Sequence, residues 1–225
     1  MKASDLIKQL EQNSEYNEKQ IQDKEKMLKK LDEIKVIETP FINDLHAEGF
    51  AEIESASDLL KLKKINVKLT KLILRWIPKV DNKFNSQEML VRSLANAEKP
   101  FDGTFLIQLF DDANTSFNLK WVIGNTIASA QIENITNWLD RKLTSDNPGK
   151  ECEMLIYAAI KYFTYEKASD ILRRLFKVFP LQVADAFTYI GTPEDLRFLK
   201  ENGKGYKGEV KNRINGAIKK LIIKL

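Results

Sequence analysis

The stretch "FNLKWVIGNTIASAQIENITNWLDRKL", Phe117–Leu143, decides the fold. Trp121, Ile123 or Gly124, Ile127 and Ala128 fall on one face at helical spacing, and Ile132, Ile135, Trp138 or Leu139 and Leu143 do so again. The spacing predicts two amphipathic helices joined by almost no loop. The same pairing returns on either side. "SQEMLVRSLANAEK" precedes "FDGTFLIQLFDDAN" upstream, and "KECEMLIYAAIKYF" precedes "EKASDILRRLFKVF" downstream, followed by "LQVADAFTYIG" before "PEDLRFLKEN". First helices are predicted to start near Ser86, Phe117, Gly149 and Leu181, at separations of 31, 32 and 32 residues. A fixed period of this length marks a stacked repeat.

Helix breakers stand at the unit edges: Pro100, Asn147–Gly149, Pro180, and Gly191–Pro193. No run alternates with period two. One helix pair cannot bury both of its apolar faces, so each pair must stack on the next. The expected fold is all-α: a right-handed α-solenoid of about five helix pairs, closed by a capping helix, "YKGEVKNRINGAIKKLIIKL". Residues 1–38 differ in texture, with charges of both signs around sparse apolar positions (Leu6, Leu10, Ile21, Leu28, Leu31, Ile34). They read as a solvated helical extension flanking the repeat domain, 39–225. Lys24 and Lys35 interrupt the seam that a coiled coil would need. Pro40 and Gly49 are expected to bracket a short irregular join.

The phrases "LVRSLA" at Leu90, "LKWVIGNTIA" at Leu119, "ADAFTYIGTPEDLRFL" at Ala184 and "VKNRINGAIKKL" at Val210 resemble those of bacterial HEAT-repeat proteins, of the armadillo-type class. The resemblance covers roughly residues 56–225, in units shorter than the ~40–47 residues of the eukaryotic pattern. It implies a binding scaffold more often than an enzyme, because function on such folds resides in grafted sites.

Formal charge is +4, from 36 basic and 32 acidic residues, too mixed for net charge to point to nucleic acid. The one cysteine, Cys152, cannot form an internal disulfide, and the start "MKASDLIKQLEQ" lacks a signal peptide's apolar run, so a reducing cytoplasm is expected. No stretch approaches the ~20 apolar residues that span a bilayer. Catalytic chemistry finds little footing. His46 is the only histidine, whereas metal sites need three or four converging donors, so no metal or cofactor is expected. Cys152 reads as a structural thiol for want of a histidine partner. "NGKGYKG" has neither the preceding strand nor the Gly-Lys-Ser/Thr ending of a phosphate loop. One HEAT-like class excises alkylated bases from DNA, using tryptophans and an aspartate. Trp76, Trp121, Trp138 and Asp140 are the residues here that could serve it, but the tryptophans sit on or beside apolar stripes, as core residues do.

Charge placement supplies the candidate surfaces. In HEAT arrays the second helices line the concave face. Lys68, Lys71, Arg75 and Lys79 form one row there, and Arg173, Arg174 and Lys177 another, with Arg141 between them. Asp111 and Asp112 interrupt the path, so a folded partner with an acidic surface is expected before a uniformly charged nucleic acid. A second basic patch, Lys204, Lys207, Lys211, Arg213, Lys219 and Lys220, belongs to a segment, 197–225, in which nine basic residues face only Glu201 and Glu209. The expected role is a non-catalytic protein-interaction scaffold. Neutralisation of a toxin, as an immunity protein does, and base excision from DNA are the alternatives.

Overall fold

The computed structural model describes residues 14–225, and the extension before residue 14 lies outside them. Described elements are helical apart from one two-stranded pairing. Helix α1 spans Ser14–Ala47, and α2 spans Val67–Trp76 after a 3-10 turn at Ala56–Lys61. Then come α3 (Ser86–Ser93), α4 (Thr104–Asp111), α5 (Phe117–Ser129) and α6 (Thr136–Thr144). After a further 3-10 turn, Lys150–Met154, follow α7 (Leu155–Tyr162), α8 (Tyr165–Leu175), α9 (Pro180–Ile190), α10 (Pro193–Asn202) and α11 (Gly208–Lys224).

Local chemistry sets these boundaries. The side chains of Asn66, Ser116, Thr164 and Thr192 each accept a backbone N–H in the first turn of α2, α5, α8 and α10, which stabilises a helix start by about 1 kcal/mol. Pro180 and Pro193 open α9 and α10, where a missing N–H costs nothing. At Pro40 the expected break does not occur, because α1 runs through it. The carbonyl that proline leaves without a donor belongs to Val36, a residue 75% exposed and so open to water. Buried Phe41, Ile42 and Leu45 hold the following turns on the body.

Contacts between alternate helices form one row: the Ala56–Lys61 turn on α3, α3 on α5, α5 on α7, α7 on α9 and α9 on α11. Small side chains permit the approach. A Cβ on Gly124 of α5 would sit 3.1 Å from the Cβ of Met154, and Ala158, Ala159, Ala184, Ala186 and Ala217 are buried along the same row. Helices α2, α4, α6, α8 and α10 form the second row, α2 on α3, α4 on α5, α6 on α7 and α8 on both α7 and α9, and α11 covers both α9 and α10.

Turns between the rows stack as well. Ile65 bridges Ala97 in parallel, and the strands β1 (Phe101–Asp102) and β2 (Ile132–Glu133) pair Phe101 with Ile132. Side chains repeat the step: Trp76 donates to Asp44 and Trp121 to Glu153, each across 32 residues, and Tyr206 to the Phe176 carbonyl across 30. Tertiary ties thus recur near the spacing of the hydrophobic pattern.

The first half of α1 is different. Its side chains from Tyr16 to Asp32 are all exposed. Farther along, Lys83 bonds Glu33 at 2.6 Å, and buried Glu38 accepts from the Ala56 N–H and the Ser86 hydroxyl, fixing the helix to the body.

Candidate functional site

The second row of helices carries the first set of candidate cations, and most are already engaged. Lys68 meets Glu48 at 3.0 Å and Arg75 meets Asp44 at 2.7 Å. Asp44 also accepts the Trp76 indole N–H. That bond, more than the Arg75 guanidinium, holds its carboxyl below the usual range against partial desolvation. Lys79 lies 5.1 Å from the centre of the Trp76 ring, a cation–π arrangement. Lys71 is exposed and, with Glu48, Lys68, Leu72 and Arg75, lines a shallow cleft of about 270 Å³.

Arg141 is exposed on α6 and Lys177 in the turn after α8, and neither makes an ion pair within 4 Å among the described residues. Arg174 donates to the Leu143 carbonyl at 3.3 Å. Arg173 is bound inward. Its Nη2 reaches Asp195 Oδ1 at 2.7 Å, its Nε the same oxygen at 3.0 Å, and its Nη1 reaches Glu194 at 2.9 Å. Asp195 is completely buried. Burial alone would raise its pKa, but bonds from Ser169, Tyr165, the Thr192 N–H and Arg173 outweigh it and hold the carboxyl down to about 2. Charge reversal at Arg173 therefore acts on the fold as well as on the surface.

These contacts share a pattern that the sequence rows did not show. Lys142 of α6 bonds Asp111 of α4 at 2.7 Å, Lys167 of α8 bonds Asp140 of α6 at 2.9 Å, and Arg173 of α8 bonds Asp195 of α10. Ion pairs thus link successive helices of the second row. Asp111, expected to repel a phosphate path, and Asp140, the residue that a base-excising site would use, both serve this ladder. Asp140 Oδ1 is enclosed without a hydrogen-bond partner.

The tryptophans are anchored too. Trp138 is buried against the Phe110 ring, with its N–H on Asp111 at 2.9 Å. Trp121 is half-buried beneath Arg92, with its N–H on Glu153. Cys152 is buried, and burial, then Glu151, pushes its thiol up to about 11, which makes it a poor nucleophile. His46 bonds the Ile53 carbonyl. Among the described residues no group of three or more His, Cys, Asp and Glu could hold a metal ion, and no helix is long and apolar enough to cross a membrane.

The second basic patch has the opposite character. Lys204, Lys207, Arg213, Lys219 and Lys220 are exposed, while Lys211 reaches the Gly203 carbonyl at 2.9 Å. None of the nine basic residues in 197–225 has an ion-pair partner within 4 Å among the described residues. Sequence reasoning missed what adjoins them: Ile222, Ile223 and Leu225 are exposed at the end of α11, as is Tyr189 of α9. It also missed a cleft of about 720 Å³ between α1 and the Ala56–Lys61 turn, with Ile34, Ile42 and Met89 among its apolar lining. The adjacent "LIIKL" was visible as a signal for the first, whereas the cleft depends on the path of α1. No protein-family model matches the chain, and no curated protein or solved structure shows significant similarity to it.

Proposed function

We propose that the chain is a HEAT-like, right-handed solenoid that acts as a non-catalytic scaffold in the cytoplasm, binding a partner protein with an acidic surface through its second-row helices. The observation that carries this reading is the recurrence of ties one unit apart. Parallel backbone bridges join Ile65 to Ala97 and Phe101 to Ile132, and indole–carboxylate bonds span 32 residues. A repeat array held in this way offers an extended, preformed face. Lys71, Lys79, Arg141, Arg174 and Lys177 leave positive charge on that face beyond the cations paired inside it, and complementary charge governs association rate and partner choice. A toxin bound by an immunity protein is one partner that fits this description.

The test replaces Lys71, Arg141 and Lys177 by glutamate together, sparing the structural Arg173. Expected is slower capture of partners from the native cell lysate, most marked at low salt, with unchanged thermal unfolding. Capture of the same partners at the same rate and with the same salt dependence would remove this face from the proposal.

A further inference from the structure

The last two turns of α11 bring exposed apolar side chains and unpaired lysines together on a helix that is anchored to the body along its other side. Ile214, Ala217 and Leu221 bury one side of the helix against α9 and α10. On the open side Ile223 is 86% exposed, beside Ile222 at 54%, Leu225 at 55% and Tyr189 of α9 at 63%. Lys219, Lys220 and Lys224 surround this apolar tip, and Lys224 also reaches the Tyr189 carbonyl. Interaction with the helix dipole is confined to the final turn. It accounts for Lys224 and not for Lys204, Lys207 and Lys219, none of which has a carboxylate within 4 Å among the described residues.

We propose that this tip is a landing site for an anionic bilayer surface. Tyr189, Ile222, Ile223 and Leu225 enter the headgroup boundary, while Lys219, Lys220 and Lys224 meet anionic headgroups. Lysine-flanked apolar side chains on a helix, with a tyrosine beside them, match such an interface in both polarity and charge. A nucleic acid would use the lysines and leave the isoleucines in water. Asp185 and Glu209 line a shallow pocket of about 330 Å³ with Arg213 and Lys220, and Glu194 and Glu201 lie on α10. The carboxylates in that pocket disfavour a headgroup site there and leave contact at the tip. This inference does not depend on the second-row reading.

The full chain is sedimented with phosphatidylserine–phosphatidylcholine vesicles and with pure phosphatidylcholine vesicles. The wild type is expected to pellet with the first, less so at high salt, and to stay in solution with the second. A lysine near an anionic leaflet is worth roughly fivefold in partitioning, so Lys219→Gln/Lys220→Gln/Lys224→Gln weakens binding on the order of a hundredfold. Ile222→Ser/Ile223→Ser is expected to weaken it tenfold or more with an unchanged helical circular-dichroism spectrum, and Ile223→Ser alone keeps the test valid should the double variant unfold. Failure of the wild type to pellet with phosphatidylserine, or pelleting that neither isoleucine variant reduces, overturns the proposal. Retention on heparin without vesicle binding also overturns it and assigns the lysines to a polyanion.

Discussion

Lysines and arginines of the second-row helices and those of residues 197–225 look alike in sequence and behave oppositely in the fold. Lys68, Arg75, Lys142, Lys167 and Arg173 each meet a carboxylate from another element, in pairs that link one unit to the next. The nine cations at the carboxy-terminal end meet none among the described residues. Basic residues thus pair with carboxylates across elements in one region and lack carboxylate partners in the other. Partner placement, rather than basic content, separates the two roles.

The largest test of this contrast is Arg173→Glu. It removes two hydrogen bonds from a fully buried carboxylate and sets a like charge beside it. Expected is a loss of about 3 kcal/mol or more in denaturant unfolding, whereas Lys219→Glu/Lys220→Glu should stay within about 0.5 kcal/mol of wild type. Equal losses in the two would end the distinction.

Acid provides the next test. With a carboxyl pKa depressed to about 2 in the folded state, Asp195 contributes stability that is fully present above its unfolded pKa and is lost as pH falls from about 4 toward 2. The shift corresponds to roughly 2 kcal/mol. Asp195→Asn should start less stable at neutral pH and should lack that component of the acid-induced decline. A variant whose acid profile parallels the wild type would show that the group is not held ionised by the fold.

Much of the architecture was legible because it is written in apolar spacing. Ser86 and Phe117 open α3 and α5 as the sequence predicts, and Pro180 opens α9 one residue before the expected start. The bridges between turns escaped notice because each strand is two residues long, too short for a period-two pattern. Pro40 misled because its effect depends on whether the Val36 carbonyl can reach water, which only the tertiary position of α1 determines. Each tryptophan sits on or beside the apolar stripe of its own helix, yet Trp138 is buried and Trp121 only half so, a difference set by the elements that pack across them. Candidate cations were legible as rows but not as partners. Asp195 is 22 residues from Arg173, and Asp44 is 31 from Arg75, so neither pairing lies within the three- or four-residue reach of a single helix.

Exposed ladder pairs rank third. The side chains of Lys142 and Asp111 are about one-third exposed or more, as are those of Lys167 and Asp140. Lys142→Ala or Lys167→Ala should therefore cost at most about 1 kcal/mol, and less as salt rises. A larger loss that salt does not relieve would show that the lysine stems pack rather than pair. Both lysines are open to that outcome, since the Lys142 ammonium also lies near the Phe110 and Trp138 rings and that of Lys167 lies over Phe163.

The smallest expected effect carries the opposite sign. Residues 197–225 concentrate nine basic residues against two acidic ones, so these cations repel one another in the folded state while no carboxylate within 4 Å offsets the cost. Lys204→Gln/Lys207→Gln/Lys219→Gln should raise stability by a few tenths of a kcal/mol at low ionic strength, where substitutions in the ladder lower it. The gain should fade toward zero at about 1 M salt, where the screening length shrinks to roughly 3 Å. Thermal unfolding of the triple variant and of Lys142→Ala across a salt series measures both signs under identical conditions. If removing these carboxy-terminal lysines instead lowers stability, and salt leaves the loss unchanged, they are engaged within the fold and not held free for an external surface, which would also weaken the case for the bilayer contact at the tip of α11.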